Sequence, residues 1–133
     1  MKSTDECPPE LRALVERQAR AWEENDFETL AADWREDGEL VAPAGVFPYS
    51  VLRQTLSEFH QSYRDLKVDI RSVFAAPSGT KLAVEWLWTV TRRSDGARST
   101  TEDAIIADLV EGKILSWREY FDLSGSVEAR QPN

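Results

Sequence analysis

The stretch Leu82–Phe121, LAVEWLWTVTRRSDGARSTTEDAIIADLVEGKILSWREYF, decides the fold of this chain. Polar and apolar residues alternate along it in three long segments, which is the pattern of half-buried β-strands. Two turn signals, Asp95-Gly96 and Val110-Glu111-Gly112, separate the segments. The stretch therefore predicts three antiparallel strands whose turns determine which side chains share a face.

The turn residues also predict a register. A two-residue turn, which Asp-Gly favours, places Trp88 opposite Asp103 in the neighbouring strand. A three-residue bulged loop with Gly112 in the left-handed position places Asp103 opposite Glu119. An indole and two carboxyl groups then become neighbours on one face.

That face is apolar apart from one acidic row and one threonine. It carries Val84, Trp86, Trp88, Val90, Thr101, Asp103, Ile105, Ala107, Leu115, Trp117, Glu119 and Phe121. The reverse face has the mixed composition of a surface that meets water or a partner chain. It carries Glu85, Leu87, Thr89, Glu102, Ala104, Ile106, Asp108, Ser116, Arg118 and Tyr120.

Length and charge limit the classes of function. The 133 residues fit one domain, 1–133, in which we expect 1–7 and 124–133 to be flexible tails. The 24 acidic and 16 basic residues give a net charge of -8, which repels nucleic acid and anionic lipid. No apolar run approaches the roughly 20 residues of a membrane span, and Met1–Glu10 lacks a signal-peptide core. We therefore expect a cytoplasmic protein.

Metal and cofactor sites are not indicated. The chain has one cysteine, Cys7, and one histidine, His60, so a zinc site would need an unusually carboxylate-rich ligand set. Cys7 stands next to Pro8-Pro9 and has no histidine nearby in sequence to activate it. The glycines are scattered singly at turns, without a phosphate-binding loop. We predict no metal and no cofactor.

Helical periodicity is concentrated ahead of the strands. Pro8-Pro9 predicts the start of a first helix, which ends at Asn25-Asp26. Asp26 is a candidate N-cap for a second helix that includes Trp34 and ends near Asp37-Gly38. Further on, the pattern predicts a short strand at 39–42, a loop at 44–49 beside a cavity mouth, a third helix capped by Ser50, and an alternating strand at 66–74. Helices followed by antiparallel strands indicate an α+β fold.

Three segments carry a resemblance to a known family: 21–27 with Ala-Trp and Asn-Asp-Phe, 35–38 with Arg-Glu-Asp-Gly, and 111–122 with Glu-Gly-Lys-Ile and Trp-Arg-Glu-Tyr-Phe-Asp. In this order, nearly the whole chain resembles the nuclear transport factor 2-like superfamily, in particular its SnoaL-like, polyketide cyclase-like branch. The resemblance implies a cystatin-like cone, in which a curved antiparallel sheet wraps around three N-terminal helices and encloses an apolar pocket. It also implies a homodimer through the outer sheet face.

The superfamily includes cyclases, epoxide hydrolases, isomerases, dehydratases and non-catalytic modules, so the resemblance does not select a reaction. Limonene-epoxide hydrolases keep an arginine and an aspartate where this chain has Trp86 and Trp88, and polar residues near Leu40–Ala42. The ketosteroid isomerase base would fall in the same apolar stretch. By this comparison the hydrolase mechanism is absent, and the loss of the base argues against the chemistry of the ketosteroid isomerases. SnoaL-type cyclases use an acid or base on the late strands, where Asp103 and Glu119 match by type.

Asp103 and Glu119 are the candidate catalytic residues. Two carboxyl groups that face each other in an apolar cavity do not both ionise easily, so one remains a neutral acid or becomes a base with a raised pKa. Such a pair suits proton transfer next to a carbonyl group. Alternatively, a bulge turns one carboxylate to solvent, or Arg118 pairs with it.

Trp86, Trp88 and Trp117 are candidates for a flat wall that binds an aromatic or polycyclic ligand; alternatively, they are core residues. The other candidate binding residues are Val90, Thr101 and Phe121 on the same face, and Tyr49, Phe59, His60 and Tyr63 from the helical side. His60 is either a proton shuttle or a boundary residue that reaches water. The two tyrosines either orient a carbonyl group or are structural.

These observations give two candidate functions. The first is a protein that binds a small apolar, cyclic metabolite in an internal pocket and catalyses cofactor-free cyclisation, isomerisation or dehydration. The second is a non-catalytic ligand-binding or dimerisation module whose tryptophans fill the cavity. The sequence leaves open whether the protein is an enzyme.

Overall fold

The structure is a computed structural model that describes residues 7–122. The predicted flexible tails lie outside the described residues except for Cys7, which is partly buried against the core. The elements are α1 (Pro9–Glu24), α2 (Phe27–Ala32), β1 (Trp34–Ala42), β2 (Gly45–Pro48), a 3₁₀ turn (Tyr49–Val51), α3 (Leu52–Ser62), β3 (Tyr63–Ala75), β4 (Lys81–Arg92), β5 (Arg98–Val110) and β6 (Lys113–Tyr120).

The strands form one six-stranded sheet in the order β2-β1-β6-β5-β4-β3. All neighbouring strands are antiparallel except β1 and β6, which run parallel, with Leu40 paired to Trp117 and Val41 to Arg118. The α+β class is confirmed. The parallel pair corrects our expectation of a purely antiparallel sheet, and it places the end of β1 beside the end of β6.

The predicted signals at the first two helices are confirmed. Pro9 occupies the first turn of α1, and Asn25, with a φ of 56°, ends the helix in the left-handed conformation. The carboxylate of Asp26 accepts hydrogen bonds from the backbone N–H of Thr29 at 3.2 Å and from its hydroxyl at 2.6 Å. This N-cap starts α2.

Trp34 was predicted in the second helix but begins β1. The helix ends early because the chain at Asp33 makes other bonds: the Asp33 carbonyl accepts from the N–H of Ile114 at 2.8 Å. The indole of Trp34 donates to Oε1 of the buried Gln18 side chain at 3.0 Å. Gly38, expected near the helix end, lies instead at an irregularity in the β1–β6 pairing.

Three further predictions are wrong in detail. The expected loop at 44–49 contains β2, which pairs with β1. Ser50 does not cap α3, because a 3₁₀ turn over Tyr49–Val51 precedes the helix. In β3 an irregularity between Ile70 and Ser72 reverses the alternation, so Val73 is buried and Phe74 is 43% exposed.

The β4–β5 turn is longer than the predicted two residues. Thr91 pairs with Arg98, and the guanidinium of Arg92 donates to the carboxylate of Asp95 at 3.0 and 2.7 Å. These side-chain bonds stabilise a wider loop than the Asp-Gly pair alone would form. The register consequently moves by two residues, so Asp103 faces Trp86 instead of Trp88.

The β5–β6 turn is shorter than predicted, with Glu111 and Gly112 both at positive φ, 51° and 81°. A bulge follows, because Leu109 pairs with Ile114 whereas Asp108 pairs with Ser116. Ile114 therefore takes the buried place that we predicted for Leu115. Glu119 comes opposite Ile105 and not Asp103. A shift of two residues keeps a side chain on its original face, so both acids remain on the predicted side.

The core lies between the inner sheet face and the helices. Its largest fully buried side chains are Trp86 and Trp117, at 1% and 2% exposure. α1 packs against β3 and α2. Within residues 7–122, none of the helices is long and apolar enough to span a membrane.

Candidate functional site

Two carboxyl groups meet on the inner face of β5 and β6. Asp103 is only 6% exposed, and Glu119 is partly buried. The indole N–H of Trp86 donates to Oδ2 of Asp103 at 3.3 Å, and the indole N–H of Trp117 donates to Oε2 of Glu119 at 2.8 Å. We call Asp103 and Glu119 the carboxyl pair.

Burial disfavours ionisation of both groups. It raises the pKa of Asp103, an effect that hydrogen bonds from Glu119, from the Trp86 indole and from the backbone N–H of Tyr120 oppose. Burial raises the pKa of Glu119 well above its usual range, and the charge of Asp103 and the hydrogen bond to it raise it further. The Trp117 indole acts in the opposite direction. Glu119 is therefore the member of the pair that holds a proton more strongly.

The hydrogen bonding of Asp103 agrees with a shared proton. Its Oδ1 atom is buried and has no hydrogen-bond donor among the described residues. An unsatisfied buried oxygen costs about 1–3 kcal/mol. The two carboxyl groups are hydrogen-bonding neighbours, so a proton on Glu119 supplies the missing donor. The pair then carries one negative charge in place of two.

Arg118 does not neutralise the pair. It points to the other side of β6, where its guanidinium contacts Asp108, and Lys81 contacts the same carboxylate. These cations hold the pKa of Asp108 below its usual range. Within residues 7–122 we therefore find neither of the alternatives that would have disabled the pair, which were a carboxylate turned to bulk solvent and an ion pair with Arg118.

A depression of about 520 Å³ gives access to Glu119. It lies where β1 and β6 end side by side. Its lining is largely apolar and consists of Val41, Ala42, Pro43, Glu119, Tyr120, Phe121 and Asp122. We call this the rim depression. Sequence reasoning found Glu119 and Phe121 but missed the residues from β1, because no local signal indicates that β1 pairs with β6.

A second depression, of about 420 Å³, lies along β4 and β5. It is lined by Arg71, Glu85, Trp86, Leu87, Glu102, Asp103, Ala104 and Tyr120. Most of these residues were predicted for the outer face. The two members of the carboxyl pair thus border different depressions: Asp103 borders this second depression, and Glu119 borders the rim depression.

The tryptophans predicted as a ligand wall contact one another and the helices. The ring centroid of Trp86 lies 5.9 Å from that of Trp117 and 6.1 Å from that of Trp88. Trp88 in turn lies 5.7 Å from Trp22 on α1 and 5.3 Å from Phe59 on α3. Two of the three, Trp88 and Trp117, do not line either depression. The indoles thus form a packed aromatic layer above the carboxyl pair.

Of the remaining predicted binding residues, some contact the aromatic layer and others lie elsewhere in the fold. Tyr63 stacks on Phe59 at 5.1 Å, whereas Tyr49 packs against Phe27. Nε2 of His60 donates to the carbonyl of Trp22 at 2.6 Å, which links α3 to α1. Val90 is buried and Thr101 is partly buried opposite Trp88. Their role in ligand binding stays a prediction.

Residues 7–122 contain no group of three or more His, Cys, Asp or Glu side chains that could hold a metal ion. The chemistry that the described side chains offer at the rim depression is that of the carboxyl pair. A carboxyl pair that shares one proton can both donate and accept a proton.

Comparison with known proteins decides the family. A model of the SnoaL-like domain matches residues 15–117. The chain belongs to the SnoaL-like domain family. The match covers β1 to β5 and reaches Trp117, so it includes Asp103 and ends just before Glu119. No curated protein matches this SnoaL-like chain.

Solved structures agree on the fold. A protein of Xanthomonas campestris pv. campestris, provisionally described as a polyketide cyclase, is 21% identical with a TM-score of 0.77, over 86% of this chain and 92% of that one. An NTF2-like protein of Anabaena variabilis is 16% identical with a TM-score of 0.74, over 92% and 93%. A Catenulispora acidiphila protein with a ketosteroid isomerase-like fold, solved with trimethylamine, is 18% identical with a TM-score of 0.75, over 84% and 86%. The SnoaL-like chain thus has the predicted cone fold.

Proposed function

We propose that this SnoaL-like protein binds a small, mainly apolar carbonyl compound at the rim depression and catalyses cofactor-free proton transfer with the carboxyl pair. The observation that carries the proposal is the position of Glu119, whose raised-pKa carboxyl group borders the rim depression and is hydrogen-bonded to Asp103. The provisional description of a structural neighbour as a polyketide cyclase is compatible with such chemistry.

The reaction would begin with the pair holding one proton on Glu119. Glu119 accepts a proton from the carbon next to the substrate carbonyl while its own proton passes to Asp103. The C–H bond breaks, an enolate forms, and the pair becomes neutral. Return of a proton from the pair to a different atom of the enolate completes an isomerisation. In a cyclisation the enolate carbon attacks a second carbonyl, the pair returns its proton to the alkoxide that forms, and the single negative charge of the pair is restored.

Solvent deuterium exchange tests the proton-transfer step without knowledge of the natural substrate. α-Tetralone, a cyclic ketone, is incubated with the protein in D₂O, and loss of its α-proton signal is followed by NMR. We expect the protein to accelerate exchange, and Glu119→Gln and Asp103→Asn to abolish the acceleration. Glu36→Gln, which removes an exposed carboxylate from β1, is the matched control. Full exchange activity in Glu119→Gln would refute the proposed role.

A second candidate is a non-catalytic module with a filled cavity. The packing of Trp86, Trp88 and Trp117 against one another favours it. This candidate predicts that α-tetralone neither exchanges faster nor changes the tryptophan fluorescence. A change of fluorescence without exchange would instead indicate binding without catalysis.

We also propose that two copies associate through the outer sheet face. Tyr120 and Phe74 are 58% and 43% exposed there, which is unusual for large aromatic side chains on a sheet that faces water. Residues of both charge signs, including Arg71 and Glu102, lie beside Tyr120 in the second depression. A face with both signs can complement a second copy of itself across a two-fold axis.

A further inference from the structure

The two indole groups that contact the carboxyl pair are each restricted to one kind of bond. An indole nitrogen donates a hydrogen bond and cannot accept one. Trp86 is directed at Oδ2 of Asp103, and Trp117 at Oε2 of Glu119. Both of these oxygens are therefore held as acceptors, which makes them the less favourable places for a proton.

The oxygens that remain are Oδ1 of Asp103 and Oε1 of Glu119. Oδ1 is buried without a donor among the described residues, so it is the atom that gains most from a proton nearby. Oδ1 is itself not exposed to water, and burial of both indoles, at 1% and 2% exposure, keeps water from replacing the indole bonds.

The indole rings have little freedom to move. Trp86 contacts both Trp88 and Trp117, with ring centroids 6.1 and 5.9 Å away. Trp117 and Glu119 are two residues apart on the same strand and face, so backbone geometry also fixes the 2.8 Å bond. Donors held in this way orient a carboxyl group before any substrate binds.

From this geometry we propose that Trp117 and Trp86 are positioning residues that confine the shared proton of the carboxyl pair between Oδ1 of Asp103 and Oε1 of Glu119. The inference deepens the proposed function and rests on it for its catalytic meaning. Trp117 has the dominant effect because its bond is the shorter one. Thus two of the tryptophans that we expected to bind a cyclic ligand would instead position the proton of the carboxyl pair.

NMR of the unmodified protein provides the first test. The indole ¹⁵N–¹H signals of Trp117 and Trp86 should shift as the carboxyl pair titrates, with the same midpoint as the ¹³C-labelled carboxyl carbons. The indole signal of Trp34, which donates to the uncharged amide of Gln18, should not follow that titration. If the Trp117 signal does not move with the pair, the inference is wrong.

Substitution provides the second test. Trp117→Phe removes the donor, so the titration midpoint of Glu119 should move to higher pH, and Trp86→Phe should move that of Asp103 by less. Trp34→Phe, the matched control, should leave both midpoints in place. The pH profile of α-tetralone exchange in Trp117→Phe should move to higher pH in parallel with the titration midpoint, because loss of the indole donor makes the Glu119 carboxylate harder to form.

The two readouts separate the inference from the proposed function. Shifted midpoints in a protein that never exchanges α-tetralone would support the positioning role and contradict the proposed reaction. Exchange activity with unchanged midpoints in a folded Trp117→Phe variant would support the proposed reaction and contradict the positioning role. If that variant does not fold, the titration of the unmodified protein decides.

Discussion

Trp86 lies directly opposite Asp103 in the β4–β5 ladder, and its indole nitrogen donates to the Asp103 carboxylate at 3.3 Å. The acid is thus buried beside an aromatic ring, with Oδ2 bonded to the indole and Oδ1 without a hydrogen-bond partner within residues 7–122. The same arrangement determines how protein stability should depend on pH.

Glu119→Gln should stabilise the protein, increasingly so as the pH rises. Burial raises the pKa of Glu119 above the ordinary value of 4.5, so the folded state keeps a proton that the unfolded chain releases. This contribution to stability is fully present below 4.5 and is lost as the pH rises through the higher folded pKa. Glutamine carries no charge and can donate to Oδ1 of Asp103, so we expect a gain of about 1–2 kcal/mol at neutral pH.

Urea unfolding of both proteins across pH measures this difference. Glu36→Gln controls for loss of an exposed carboxylate. A stability difference between Glu119→Gln and the parent that stays constant with pH would contradict a raised pKa at Glu119.

Ala42→Phe should close the rim depression without unfolding the protein. Ala42 is a partly buried residue at the end of β1, where it lines the rim depression near Glu119. An aromatic ring there would occupy the space proposed for the substrate. Exchange of α-tetralone should stop while circular dichroism stays unchanged. Val46→Phe, at a position that is 58% exposed on the neighbouring strand, should leave exchange intact.

Asp33→Ala should destabilise the protein by about 2–3 kcal/mol, because it leaves the donors of Arg17 and of the buried Gln18 without their shared acceptor. Asp33 is 8% exposed and accepts two bonds from Arg17, at 3.0 and 2.9 Å, and one from Gln18 at 3.3 Å. The Arg17 side chain is 41% exposed, so water replaces part of the hydrogen bonding that it loses. Thermal unfolding would measure the effect, with Asp37→Ala, which removes an exposed ion pair to Arg35, as the control.

Gly38→Ala should cost about 1–3 kcal/mol through overpacking. A Cβ atom at this position would lie 2.9 Å from the carbonyl oxygen of Ile114 and 3.0 Å from the Trp34 ring. The backbone oxygen cannot move without disturbing the β1–β6 pairing. Glu39→Ala, at the exposed next residue, should have little effect in the same urea titration.

Tyr120→Glu should favour the monomer if the outer face is the self-association surface. The substitution puts a charge at the end of β6, on a side chain of that face that is 58% exposed. Sedimentation velocity would show a lower mass for the variant than for the parent at equal concentration. A parent that is already monomeric would contradict the proposed interface.

Sequence reasoning found the layers and faces but not the registers. Alternation identified the side of the sheet for Trp86, Asp103 and Glu119 because a side-chain period of two is insensitive to shifts of two residues. The pairing partners depended on the Arg92–Asp95 bonds and on the bulge at Leu115, which local propensity does not encode. The rim depression depends on the contact between β1 and β6, which are far apart in sequence.

The parallel pairing of β1 with β6 also has a consequence for how the chain acquires its structure. During synthesis β1 emerges about 80 residues before its neighbour, a separation read from Leu40 and Trp117. Until then the β1–β2 hairpin has an open edge, and such edges are prone to pair with other chains. The depression beside Glu119 can form only after this last contact, so assembly of the proposed catalytic surface coincides with completion of the sheet.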